Sequence, residues 1–200
     1  MTTDEPFAAV TAALNRPSRA SSDFDLNPGV VLPEGRKLRP AGVLVALFAT
    51  PLGLRVILTK RSSALKHHPG QIAFPGGKME DSDADVIAAA LREAEEEIGL
   101  PRTRVDVIGV LPSHETVTGF DVTPVLARIR SEFVPVPEPG EVEEVFSVPL
   151  GHVTDPGRFQ VESRRWRGQR RFYYTVPFGP YYIWGATARI LRGLAERMVA

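Results

Sequence analysis

Residues 83–98 constrain this chain more than any other stretch. At about 100° per residue, Ile87, Leu91, Ala94 and Ile98 fall on one stripe, which predicts a helix that buries a single face. Ser82 with Asp85 three residues on resembles a capping box, and Asp83 is a competing N-cap. Gly99 stands where a left-handed C-cap belongs, with Pro101 just beyond. Such a helix needs an apolar surface to cover, and the neighbouring segments read as strands. Residues 41–48 form an apolar run bounded by Pro40 and Pro51, which predicts a buried strand. Pro51, Leu52 and Gly53 supply turn chemistry, so residues 54–60 read as the second strand of a hairpin.

The remaining elements follow from the same periodicities. Residues 6–15 carry Phe7, Val10 and Leu14 at helical spacing, and residues 16–39 read as irregular. Residues 61–82 are mostly loop, with a short strand at 72–74. Strands are expected at 105–111, 120–129 and 142–148, then a short helix or turn near 150–153. A hairpin is expected from 158–164 and 171–178. A terminal helix over 187–199 places Ile190, Leu191, Leu194 and Met198 on its apolar side. The expected class is α+β, an α/β/α sandwich with a mixed β-sheet between helices. The length of 200 residues suits one domain. The expected division is an N-terminal helix and irregular lead-in over 1–39, then a single domain over 40–200.

Charge and composition narrow the function. Formal net charge is zero, which argues against a general nucleic-acid binder. The balance hides two local excesses: eight acidic residues over 78–97 and six arginines over 158–171. There is no cysteine, so disulfides, thiolate zinc sites and cysteine nucleophiles are excluded. No basic, apolar leader and no run of eighteen apolar residues is visible, so the expectation is a cytoplasmic protein without a membrane span.

On the expected helix, Glu93, Glu96 and Glu97 fall opposite the apolar stripe, with Glu93 and Glu97 one turn apart. Carboxylates that close repel unless a cation compensates, and Mg²⁺ takes oxygen ligands of this kind. Mg²⁺ beside a diphosphate would neutralise it, orient it and acidify a water, which are the needs of pyrophosphate hydrolysis. The plain alternative is a solvated acidic face, with Arg92 pairing Glu96 at i, i+4.

The surroundings favour the chemical reading. Gly77 followed by the run from Arg92 to Leu100 (Arg-Glu-Ala-Glu-Glu-Glu-Ile-Gly-Leu) resembles the Nudix box, whose second half is matched at every fixed position. Fourteen residues separate Gly77 from Arg92 where the general box has thirteen, and its early Glu falls on Asp83 or Ala84, depending on the end counted from. The upstream stretch over 57–77 includes Leu58-Thr59-Lys60-Arg61-Ser62, Leu65, His68-Pro69-Gly70-Gln71 and Phe74-Pro75-Gly76-Gly77. It is similar to the extra motif of the coenzyme A branch of Nudix hydrolases, as is the later run from Thr118 to Pro124. The resemblance covers about residues 41–150.

The resemblance implies the Nudix sandwich and attack of water on the diphosphate of coenzyme A. The products would be 4′-phosphopantetheine and adenosine 3′,5′-bisphosphate. It implies Mg²⁺ or Mn²⁺ held by Glu93 and Glu97, with Glu96 third. Glu96, Glu141, Glu143 and Glu144 are the candidates for the base. Lys60, Arg61, Ser62, His68 and Gln71 are candidate substrate contacts, and Gly76 and Gly77 would let backbone approach the metal. The arginines at 164, 165, 167, 170 and 171 read either as an exposed hairpin face or as an attraction for an anionic nucleotide. Trp166, Tyr173, Tyr174, Tyr181, Tyr182 and Trp184 read as core, as a homodimer interface or as an adenine stack. Two rival readings stay open: a Nudix enzyme for ADP-ribose or NADH, and a silent Nudix domain that senses a nucleotide.

Overall fold

The computed structural model describes residues 5–166 and 168–199, with Trp166 described by its backbone alone, so the readings of Arg167 and of the Trp166 side chain lie outside the described residues. A 3-10 turn at Glu5–Phe7 leads into helix α1, Ala8–Leu14. Strands follow in the order β1 Ser21–Ser22, β2 Arg39–Thr50, β3 Gly53–Arg61, β4 Ile72–Ala73 and β5 Gly76–Lys78. Helix α2 spans Val86–Ile98. Next come β6 Val105–Val110, β7 His114–Glu115, β8 Phe120–Ile129 and β9 Val142–Pro149. Helix α3, Leu150–Val153, precedes the hairpin β10 Gln160–Trp166 and β11 Gln169–Thr175, and helix α4, Gly185–Val199, ends the chain.

Among the described residues, nine strands form one mixed sheet along the path β1-β7-β8-β2-β3-β4, with β5 on β2, β6 on β8 and β9 on β3. The β2–β8 pairing is parallel and the β2–β3 hairpin antiparallel, closing with Thr50 opposite Gly53. Strand β2 shows why the sheet must be covered twice. Its residues alternate between faces. Val45 and Leu47 join a core with Phe7, Val10, Leu191 and Leu194, while Leu44 and Ala46 join one with Ala90, Ala94 and Ile98. Helices α1 and α4 therefore cover one face and α2 the other, giving the expected α/β/α sandwich. Each leucine or isoleucine fully buried this way contributes about 1.5–3 kcal/mol.

The lead-in is tied down by polar contacts. His114 is fully buried, with Nδ1 2.9 Å from Ser21 Oγ and Nε2 3.1 Å from Asp23 Oδ1. This links the parallel pair β1–β7 through side chains as well as backbone. No helix among the described residues is long and apolar enough to cross a membrane.

Two local expectations change. The α2 cap is Asp85, whose carboxylate accepts the Ala88 N–H, rather than Ser82 or Asp83. Asp83 is instead engaged by Arg92, a tertiary contact that outcompetes the local one. The second change concerns the buried face of α2. Ala89, Ala90, Ala94, Glu97 and Ile98 are buried, while Ile87 and Leu91 only lean on that core. Small alanines let the helix lie close to the sheet, and this turns Glu97 inward. The C-terminal end is as expected, with Gly99 left-handed at φ 67°.

Candidate active site

Strand β3 carries the chain to the site and the loop after it returns at once. The Arg61 N–H donates to the Gln71 carbonyl at 2.9 Å, and the Gly70 N–H donates to the Arg61 carbonyl at 3.1 Å. Both backbone groups of Arg61 thus close the base of loop 62–70. The Ser62 N–H donates to the Glu141 carbonyl at 2.8 Å, fixing the loop to the segment before β9. His68 has φ 54°, the one positive value outside glycine among the described residues. The Thr187 hydroxyl donates to the Ile72 carbonyl at 3.0 Å, so α4 holds the loop's exit.

The Gly76–Gly77 segment begins strand β5, where the sequence suggested loop. It pairs with β2, Val43 opposite Gly76 and Gly42 opposite Gly77. Gly76 has φ 151°, and a Cβ there would fall 2.4 Å from the Gly42 carbonyl oxygen. At Gly77 a Cβ would fall 2.4 Å from Glu93 Oε1. The first glycine is required by backbone, the second by a carboxylate.

The three glutamates of α2 have three different surroundings. Glu97 is 5% exposed and its Oε2 accepts the Gly76 N–H at 3.0 Å. Burial pushes its carboxyl up to about 7, Glu93 and Glu141 push the same way, and the Gly76 N–H and Arg61 oppose them. Glu93 is half-buried and raised chiefly by burial, with Arg92 opposing. Glu96 is exposed and accepts from Arg92 at 3.0 Å, the i, i+4 pair foreseen as the plain alternative. Arg92 also reaches Glu93 at 3.1 Å and grips Asp83 through Nε and Nη2 at 3.0 and 2.9 Å. The early acid of the box is thus Asp83, serving as the partner of its arginine. Its carboxyl is lowered to about 2, first by Arg92 and then by the Glu80 N–H.

Glu93, Glu96 and Glu97 share one end of α2 but are held by different partners. Among the described residues no three His, Cys, Asp or Glu side chains stand together as a metal cage. Arg92 draws Glu93 and Glu96 toward itself, and Glu97 turns toward Gly76. The donor set nevertheless fits a hard divalent cation. Glu97 is a buried carboxylate whose hydrogen-bond donor is a single backbone N–H, and Glu93 lies in space that only a glycine at 77 leaves free.

The remaining sequence candidates separate into two groups. Glu141 adds to the negative field at Glu93 and Glu97. Glu144 lies elsewhere, accepting the Tyr181 hydroxyl at 2.6 Å. Glu143 accepts from Lys60 at 2.6 Å and from the Ser63 N–H at 3.3 Å. A cavity of about 570 Å³ gathers Lys60, His68, Gln71, Glu144, Arg164, Tyr181, Tyr182 and Trp184 among its lining residues. Arg61 joins the two groups electrostatically, since its charge lowers both Glu97 and His68. No local spacing connects the hairpin to the loop, so the placement of Arg164 and Trp184 here follows from the tertiary structure alone. A second cavity of about 940 Å³, bordered by Phe48, Ile57 and Phe133, contains none of the candidate residues.

Comparison with known proteins bears on the family and the fold. A family model of the NUDIX domain matches residues 38–170. The uncharacterized Nudix hydrolase NudL of Cronobacter sakazakii is 45% identical over 158 residues, spanning 78% of this chain and 81% of its own. Among solved structures, the Nudix hydrolase RenU from M. smegmatis superposes with a TM-score of 0.50 at 27% identity, over 60% of this chain and 75% of that one. A MutT/nudix family protein from Enterococcus faecalis gives a TM-score of 0.52 at 18% identity, over 86% of this chain and 66% of that one, a likeness of fold alone.

Proposed function

The chain belongs to the Nudix hydrolase family, and from that premise we propose that it cleaves the diphosphate of coenzyme A with the aid of Mg²⁺ or Mn²⁺. The observation that carries the proposal is the loop over 62–70. It bears part of the stretch resembling the coenzyme A branch, it is closed at its base by Arg61, whose charge acts on Glu97, and it borders a cavity lined by Lys60, His68 and Gln71. Hydrolysis would give 4′-phosphopantetheine and adenosine 3′,5′-bisphosphate.

Glu93 and Glu97 would hold the cation, with Glu96 able to join them by leaving Arg92. When bound, the divalent ion would neutralise diphosphate charge and make a water easier to deprotonate. The chain's own residues supply the rest. With Glu93 on the ion, Arg92 would still have Asp83 as its partner. The Gly76 N–H orients Glu97 and leaves its second oxygen for the site. Glu141 is the best placed of the loop acids to take a proton from the attacking water, since its charge is felt at both Glu93 and Glu97. Arg61, whose charge acts on Glu97, suits a diphosphate oxygen. Lys60 is engaged by Glu143, so its role is to border the cavity rather than to lead in phosphate binding.

Product analysis tests the proposal. Coenzyme A, ADP-ribose and NADH are each incubated with the full chain and Mg²⁺, and products are resolved by chromatography. The expected result is adenosine 3′,5′-bisphosphate from coenzyme A, at a rate well above cleavage of the other two. Preferred cleavage of ADP-ribose or NADH would replace the substrate assignment. Tight binding without turnover of any of them would make the domain a sensor.

A further inference from the structure

The cavity beside the loop contains a cation that the hydrolytic chemistry leaves unused. Arg164, on β10, makes no ion pair among the described residues. Its guanidinium lies over the Trp184 ring at 4.1 Å, and the Tyr173 ring is 5.9 Å away. Trp184 is itself fixed, with Tyr173 packed edge-on at 5.1 Å and a bridge to Thr175. A guanidinium held over an aromatic ring gains cation–π attraction without using its N–H donors. Those donors stay available to an anion, and a phosphate monoester presents matching oxygens.

The neighbouring groups leave this fork available. Glu144 is taken by the Tyr181 hydroxyl at 2.6 Å and Glu162 by the Tyr182 hydroxyl at 2.7 Å. Lys60 is taken by Glu143. His68, across the cavity, is held below the usual imidazole range by burial, then by Arg61, Arg164 and His67, with Asp23 opposing. A neutral ring and the Gln71 amide can each donate to an oxygen without adding charge.

We propose that Arg164, braced on Trp184 and facing His68 and Gln71, is the receptor for a terminal phosphate monoester on the substrate's nucleoside half. The site would then select a nucleotide phosphorylated away from the scissile diphosphate over one that is not. The inference rests on the coenzyme A reading only for the identity of the group that carries this phosphate.

Calorimetric titration of the full chain separates the two ideas. Adenosine 3′,5′-bisphosphate and adenosine 5′-monophosphate are compared on the parent and on Arg164→Gln. The parent is expected to bind the bisphosphate at least tenfold tighter. The variant is expected to lose most of that ratio while keeping its affinity for the monophosphate. Arg164→Lys, which keeps the charge and loses the planar fork, should recover part of it. Equal affinities in the parent, or an unchanged ratio in Arg164→Gln, would overturn the inference. In kinetics, Arg164→Gln should raise KM about tenfold for coenzyme A and leave KM unchanged for its analogue lacking the 3′-phosphate. If coenzyme A is not cleaved while the bisphosphate preference and its loss are observed, the substrate reading fails and the receptor stands.

Discussion

The carboxylate of Glu97 accepts the Gly76 N–H at 3.0 Å while only 5% of the residue is exposed. A buried carboxylate with one backbone donor and two acidic neighbours is a liability in the metal-free protein, and the rise to about 7 expresses it. A carboxyl raised in the folded state costs nothing below its unfolded value near 4.5, costs progressively more as pH rises to about 7, and a constant amount above that. The ceiling on this cost is roughly 3 kcal/mol. Glu97→Gln should therefore melt a few degrees higher than the parent at pH 8 without metal, and about equally at pH 4.5. Added Mg²⁺ should stabilise the parent and not the variant, and turnover should fall by orders of magnitude. Thermal melts at both pH values, with and without Mg²⁺, decide it; a variant that Mg²⁺ stabilises as strongly as the parent removes Glu97 from the ligand set.

The adjacent glycines should fail in different ways. At Gly76 an added methyl meets β2 backbone, 2.4 Å from the Gly42 oxygen and 2.6 Å from Val43 Cα, and φ 151° disfavours it further. Gly76→Ala should cost about 2–4 kcal/mol of stability, as overpacking and backbone strain add. At Gly77 the methyl meets the movable end of Glu93. Gly77→Ala should lose less than about 1 kcal/mol of stability, the range of a surface change, while the apparent Mg²⁺ affinity and turnover fall at least tenfold. Urea denaturation alongside Mg²⁺-dependence of the rate tests the contrast, and matching losses of stability would refute it.

Much of this was legible in the sequence, and the exceptions have physical causes. The Pro-bounded run over 41–48 announced β2 because both its faces are buried, and Gly99 announced the end of α2. The cap of α2 was ambiguous because Ser82, Asp83 and Asp85 are all competent locally, and only the Arg92 contact removes Asp83 from the contest. The inward turn of Glu97 is hidden in the sequence because Ile87 and Leu91, the larger apolar residues, mark one stripe, whereas Ala89, Ala90 and Ala94 set the contact. Arg164 and Trp184 lie on different elements, and nothing local links either to His68. Their meeting exists only in the tertiary structure.

Arg92 grips both carboxylate oxygens of Asp83, and the charge of Asp83 can be titrated. Its carboxyl is lowered to about 2 from an ordinary 3.8. A depressed acid stabilises the fold fully above its unfolded value, and that contribution is lost as pH falls through its folded one. The stability gap between the parent and Asp83→Asn should be open at pH 6, begin to narrow near pH 4 and close toward pH 2. Urea midpoints across that range read it directly. A gap constant down to pH 2.5 would mean the pairing contributes nothing through charge.

The lead-in should prove inseparable from the domain that follows it. Phe7, Val10 and Ala13 are buried in the core shared with α4. Arg197 of α4, 7% exposed, donates to the Ala13 and Leu14 carbonyls at 2.7 Å each and also reaches Ser18. These carbonyls end α1 and have no partner within it, so the guanidinium acts as their cap. Arg197→Ala removes the donor to the Leu14 carbonyl and leaves the Ala13 carbonyl with the Arg16 N–H alone, at a cost of about 1–3 kcal/mol. KM and kcat should be unchanged under conditions where the variant is folded, because Arg197 touches neither the glutamates nor the loop cavity. A chain beginning at residue 40 loses the apolar contacts as well and should be less stable than Arg197→Ala. Limited proteolysis provides the check: Arg197→Ala should be cut first within residues 16–20 and the parent should resist there. Equal resistance in both would show that the lead-in is held by its apolar face alone.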